Sequence, residues 1–184
     1  MNLRFVFLAL LSDEPNTGYG LARALNDDVE HLWDTSLQQI YAELQTMWKT
    51  ELIEQRIVAA SDRRGRKVYS ITPQGLVELQ QWLVSPPVAQ RQKDSFLVKL
   101  YCLDRMPSDV LVQRLGERRD ESMAEAQELR KKMALVSAGD RDRLGLLLTM
   151  DAALSAAEAR AQWCEKTLAR VRDQSSANLQ SVQA

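Results

Sequence analysis

From Leu147 to Val171 the positions Leu147, Met150, Leu154, Ala157, Ala161, Cys164, Leu168 and Val171 alternate steps of three and four without a break. That spacing is the seam of a long packed helix. It predicts a helix from Asp140 to about Arg172, on the order of 50 Å long at 1.5 Å per residue. A small domain alone cannot cover that length, so the seam calls for a second long helix. Ser108 to Ala138 offers one, because Val112, Leu115, Arg119, Ser122, Ala126, Leu129, Met133 and Val136 keep the same alternation with two polar interruptions. The pair predicts an antiparallel hairpin with Gly139 near its bend. The Leu147 to Val171 seam has more apolar length than one protomer covers, which predicts pairing of two copies through Leu147, Met150, Leu154, Ala157, Ala161, Cys164 and Leu168. A shorter helix, about Asp94 to Leu103, precedes the hairpin.

Pro86 and Pro87 separate this half from one of different character, with shorter elements and glycines. Domains are expected over residues 1–88 and 89–184. In the first, Leu3 to Leu11 reads as a helix apolar nearly all round, ended by Ser12 to Asn16 with Pro15. Gly18 to Val29 is a second helix, with Leu21, Leu25 and Val29 on one stripe. A third begins at a hydroxyl–glutamine capping box, Thr35 with Gln38, and buries Leu37, Ile40, Leu44 and Met47. Leu52 to Ala60 and Arg66 to Thr72 then predict a β-hairpin around Ser61 to Gly65. Thr72 caps a last helix with Pro73 at its first position, running to about Val84. The expected fold class is mainly α: a winged helix-turn-helix domain followed by a long-helix dimerisation domain.

Composition narrows the function. With 45% hydrophobic and 27% charged residues the chain is an ordinary globular one rather than a disordered one. The longest apolar run, Phe5 to Leu11, is too short for a membrane span, and no leader pattern follows it. Two cysteines, Cys102 and Cys164, without a CxxC pair imply a reducing compartment, the cytoplasm. A single histidine, His31, expected at the surface or a helix end, leaves no metal set or nucleophile–histidine pair to assemble. No enzyme and no cofactor are expected. Net charge is −1, so any attraction to nucleic acid must be local.

Such a local charge exists. Ser61 to Lys67 holds Arg63, Arg64, Arg66 and Lys67 against one acid, Asp62, at the hairpin end, a cluster suited to neutralising phosphates. The competing reading is a solvated turn that keeps a strand edge from aggregating. Three helices and a hairpin in this order place the third helix in a DNA major groove and the hairpin on the backbone. On that helix Gln38 and Gln39 carry amides that suit adenine edges, with Gln39 ranked first because Gln38 is engaged in the cap. Thr35 and Ser36 reach phosphates or bases. A winged helix also serves as a protein docking module, and the net acidic first half keeps that alternative open.

Several runs together resemble the PadR family of bacterial transcriptional regulators. They are Gly18-Tyr19-Gly20-Leu21, Ser36-Leu37-x-x-Ile40-Tyr41-x-x-Leu44, Leu52-Ile53 and Arg66-Lys67-Val68-Tyr69-Ser70-Ile71-Thr72-Pro73-x-Gly75, with Leu79 and Trp82. Phe96 to Leu100 and Trp163 resemble the larger C-terminal helical domain of the branch shared with virulence-gene activators. The resemblance implies a homodimer on pseudo-palindromic promoter DNA, usually a repressor, in a family where many members respond to small phenolic or drug-like molecules. It makes Tyr41 the recognition-helix tyrosine and puts Arg66 and Tyr69 on the second wing strand. Trp163 is a candidate contact for a small aromatic effector. The chain departs from the family at Gln45 and Thr46, where basic residues are common, and at Glu51, where glycine is usual.

Overall fold

The computed structural model describes residues 3–29, 35–58, 65–87, 94–136 and 143–182. The expected wing residues Arg63 and Arg64, and His31 and Gly139, lie outside these. The chain divides into two units, Met1–Ala89 and Gln90–Ala184.

Unit 1 runs α1 (Leu3–Asp13), β1 (Asn16–Thr17), α2 (Gly18–Val29), α3 (Leu37–Lys49), β2 (Ile53–Val58), β3 (Arg66–Ile71) and α4 (Pro73–Val84). The hairpin β2–β3 is antiparallel, with Gln55 opposite Tyr69 and Val58 opposite Arg66. The sequence pattern did not reveal β1, which pairs with the free edge of β3 through Asn16 opposite Tyr69 and Thr17 opposite Val68. Apolar residues of α1, α2 and α3 form one core, in which Phe7, Leu8, Leu21, Leu44 and Met47 are fully buried. Phe5 stacks on Trp82 of α4, with ring centroids 4.4 Å apart. Across the surface of this bundle, Arg4 donates to Glu43 of α3 at 3.3 Å and to Glu78 of α4 at 3.2 Å.

Helix α3 ends in a Schellman turn. The Leu52 N–H donates to the Met47 carbonyl at 3.0 Å and the Glu51 N–H to that of Trp48 at 3.1 Å. Glu51 itself takes a φ of 59°, so the left-handed exit persists although the side chain is not glycine. The start of α4 is fastened to this turn: Thr72 Oγ1 donates to the Glu51 carbonyl at 2.7 Å and accepts from the Gly75 N–H at 3.1 Å. A Cβ on Gly75 would lie 2.1 Å from the Leu52 carbonyl oxygen, so only glycine admits this approach.

Unit 2 contains α5 (Ser95–Tyr101), a short 3₁₀ turn (Leu103–Arg105), α6 (Ser108–Leu135) and α7 (Leu144–Val182). Helix α7 continues past Arg172, where the sequence pattern placed its end. The two long helices pack antiparallel, cross-linked by Arg160 to Glu125 at 3.0 Å and by Arg130 to Glu158. The seams meet within one chain: Ser122, Ala126 and Leu129 of α6 are buried, as are Met150, Ala157, Ala161, Cys164 and Leu168 of α7, with Leu147 and Leu154 half-buried. Helix α6 of the same chain covers Met150, Ala157, Ala161, Cys164 and Leu168, as the expected antiparallel hairpin requires, so these five are not left over for a second copy, whereas Leu147 and Leu154 keep a partly open side. Among the described residues no helix is long and apolar enough to cross a membrane.

Candidate nucleic-acid interface

The first turn of α3 is set one residue later than the sequence pattern suggested. Ser36, in extended backbone conformation, is the N-cap, and the reciprocal pair is Ser36 with Gln39. The Gln39 N–H donates to Ser36 Oγ at 3.3 Å, and the Ser36 N–H donates to Gln39 Oε1 at 3.0 Å. Thr35–Gln38 and Ser36–Gln39 fit the capping pattern equally well, and only the backbone decides between them. The cap therefore engages the amide oxygen of Gln39 rather than that of Gln38, and both side chains are exposed. Thr35 is half-buried, and its hydroxyl oxygen is enclosed without a hydrogen-bond partner in the described structure rather than presented outward. Leu37, expected in the core, is 58% exposed, so the buried stripe of α3 starts at Ile40.

One turn further, Tyr41 emerges from α3 half-exposed and opens onto a cleft of about 770 Å³. The cleft lies between α3, the start of α2 and the hairpin. Thr17, Gly18 and Tyr19 form one wall, Tyr41, Gln45 and Trp48 another, and Gln55, Arg66, Lys67 and Tyr69 the third. Arg66 and Lys67 are exposed at the outer end of β3. Tyr69 is different. At 6% exposure it belongs to the core and only edges the cleft, and its phenol is pushed up by burial and then by the neighbouring Tyr41. It therefore stays protonated and neutral, a donor rather than a charge.

The structure thus brings together Tyr41, Arg66, Lys67 and Tyr69, keeps Ser36, Gln38 and Gln39 exposed on the first turn of α3 with the Gln39 amide oxygen engaged in the cap, and encloses the Thr35 hydroxyl. Sequence reasoning missed Thr17, Tyr19, Trp48 and Gln55. Tyr19 and Trp48 did leave a signal: both are large aromatics standing off the apolar stripe of their helix, 73% and 44% exposed. In unit 2, Trp163 is 37% exposed and meets Phe96 edge-on at 6.3 Å, and Arg118 lies 4.6 Å over the Phe96 ring. Cys164 beside it is buried, and burial pushes its thiol up despite nearby arginines, so it behaves as a small apolar residue. Among the described residues no cluster of His, Cys, Asp and Glu could hold a metal ion.

Comparison with known proteins agrees with this geometry. Residues 7–81 match the transcriptional regulator PadR-like family, and residues 92–172 match the virulence activator alpha C-terminal family. The chain is 25% identical over 177 residues to the negative transcriptional regulator PadR of Bacillus subtilis, covering 92% of this chain and 97% of that one. The crystal structure of B. subtilis PadR in complex with operator DNA superposes with a TM-score of 0.82 at 23% identity, over 93% of this chain and 99% of that one. The same protein in complex with p-coumaric acid gives 0.77 at 24% identity, over 92% and 98%. The Vibrio cholerae virulence activator AphA gives 0.79 at 26% identity, over 94% and 99%.

Proposed function

Because the chain belongs to the PadR-like family of transcriptional regulators, we propose that it binds a pseudo-palindromic promoter site as a homodimer and acts there as a repressor. The observation that carries this reading is the cleft, where two exposed cations and an exposed tyrosine face the same space beside the first turn of α3. Arg66 and Lys67 at the end of β3 neutralise phosphates, and Tyr41 donates to the backbone of the same strand. Gln38 takes the role of base reader ahead of Gln39, since both are exposed on the groove-entering turn but the Gln39 amide oxygen is already engaged by the Ser36 N–H. Regulation without catalysis, in the cytoplasm, is the whole of the proposed activity. A small aromatic effector is proposed at the Trp163 face, where Phe96 supplies a second ring and Arg118, stacked on Phe96 and paired with Asp94, borders it.

Salt dependence of operator binding tests the reading. If Arg66 and Lys67 displace condensed counterions in both protomers, Arg66→Gln with Lys67→Gln flattens the log–log slope by up to about 3.6. The loss is uniform across sequences. Gln38→Ala instead relaxes preference at one position per half-site, by about 1–3 kcal/mol if the contact is bidentate. Parallel salt plots from a folded variant reject the phosphate contacts, and absence of any sequence preference in the parent favours a protein docking module.

A further inference from the structure

The run Gly18-Tyr19-Gly20 carries part of the family likeness, yet neither glycine offers a functional group. Neither needs a left-handed backbone, since the only glycine with positive φ among the described residues is Gly65. What both supply is room. A Cβ on Gly20 would fall 2.0 Å from Asn16 Oδ1, the atom that accepts from the Thr17 N–H at 2.8 Å. The Gly20 N–H in turn donates to Thr17 Oγ1 at 3.0 Å. Gly20 thereby closes a tight strap whose residues Asn16 and Thr17 pair with Tyr69 and Val68 of the wing.

Gly18 faces the other way. A Cβ there would lie 2.6 Å from Cε1 of Tyr41 and 3.3 Å from Cζ, closer than side chains tolerate. The Tyr41 ring therefore rests on the bare backbone of a residue that follows directly on the wing-paired strand. We infer that Gly18 is a positioning residue for DNA binding: by leaving no side chain, it seats the Tyr41 ring so that its phenol faces the cleft beside Arg66 and Lys67. The strap then fixes α3 and the wing at one separation, since the same few residues touch both. This rests on the reading of the cleft as the DNA-facing site.

The test uses the full chain with ¹³C-labelled tyrosine rings, an operator duplex, and the variants Gly18→Ala, Tyr41→Ala and their combination. The Tyr41 signal is identified by its loss in Tyr41→Ala. Gly18→Ala should shift that signal without DNA and weaken operator binding by about a hundredfold, the cost of one hydrogen bond to a charged group in each of two protomers. The combination should bind no more weakly than Tyr41→Ala alone. Melting gives a readout of opposite sign: Gly18→Ala lowers the midpoint in the parent and raises it in Tyr41→Ala, because alanine is the better helix former once the ring is gone. If Gly18→Ala does not fold, recovery of folding in the combination supports the inference and failure to recover overturns it. An unmoved Tyr41 signal, or losses of affinity that add, also overturn it. A Tyr41→Ala chain that binds DNA like the parent overturns the cleft reading instead, and is recognised because the ring signal still moves in Gly18→Ala.

Discussion

Unit 1 and unit 2 bury apolar surface in different ways. In unit 1, Phe7, Leu8, Leu21, Leu25, Ile40, Leu44, Met47, Leu52 and Ile53 converge from α1, α2, α3 and the first hairpin strand, each at most 2% exposed. In unit 2, two long helices meet along a line, and much of that line is made of small residues: Ser122, Ala126, Ala157 and Ala161. Leu111, Leu115, Leu129, Met150 and Leu168 fill the rest of it, while α5 turns large apolar side chains outward, with Tyr101 at 91% exposure and Val98 at 65%. Several elements can close around a point within one chain, whereas two cylinders share a single stripe and leave their other faces bare. Unit 1 is self-sufficient, and unit 2 is left with apolar surface of the kind that marks a partner. The dimer proposal therefore moves from the α6–α7 seam to the faces that seam leaves exposed.

The largest effect comes from removing the self-sufficient core. Phe7→Ala should cost about 3–5 kcal/mol, seen as a fall in the urea midpoint of unit 1 with operator binding lost alongside. Tyr101→Ala should leave the unfolding of its own unit within about 0.5 kcal/mol, since it truncates a side chain that one chain does not pack. Comparable losses from the two would erase the distinction.

Next in size is association. Leu97→Glu with Tyr101→Glu should convert a dimer into a monomer at micromolar concentration by light scattering, with helix content by circular dichroism unchanged. Operator affinity should fall with it, because two half-sites are then no longer held together. Leu154→Asp probes the other possibility, since it charges the half-buried seam inside one chain. If that substitution dissociates the dimer with the α6–α7 pair still folded, while the Leu97 and Tyr101 pair does not, the seam is shared between copies after all.

Acid should act on unit 2 through Asp94. This carboxylate caps α5, accepting from the Phe96 N–H at 2.9 Å, and pairs with Arg118. Burial alone would raise it, but Arg118 and the two backbone donors outweigh that and hold it below its ordinary value. A depressed carboxyl contributes stability that is complete above the unfolded value near 3.9 and is lost as pH falls through the lower folded value. Asp94→Asn should therefore flatten the acid limb of Trp163 fluorescence below about pH 4. An unchanged limb would assign acid sensitivity elsewhere.

How much of this was legible before the structure depends on whether the signal was periodic. The seams, the α1 to α4 order and the hairpin are patterns of period 3.6 or 2 repeated over many residues, and they read correctly. What failed were choices that a single residue decides. Thr35–Gln38 and Ser36–Gln39 are the same motif shifted by one, so the glutamine engaged in the cap is Gln39 rather than Gln38. Strand β1 has only two residues and no periodicity to detect. The seam residues and their pairing with the preceding long helix were legible from the matching spacings, yet how much of the seam that one helix covers is a matter of tertiary packing that spacing does not encode. Tyr19 and Trp48 joined the cleft through the packing of α2 and α3 against the hairpin, which no local pattern states.

The smallest effect tests whether unit 1 holds strain within its self-sufficient core. Glu51 sits at φ 59°, at the position of the Schellman turn where glycine is the usual solution. A side chain in that region costs about 1–2 kcal/mol, while glycine at an ordinary position gives back about 0.5–1 kcal/mol through the freedom of the unfolded chain. Glu51→Gly should thus raise the stability of unit 1 by up to about 1 kcal/mol, or about 4–8 °C in its melting midpoint for a domain of this size. Unit 2 should melt unchanged, because the residue contributes only to the exit of α3 and the seat of α4. A fall instead would mean that the Glu51 side chain makes contacts stronger than the strain it carries, and that the exit is held by the side chain rather than merely tolerating it.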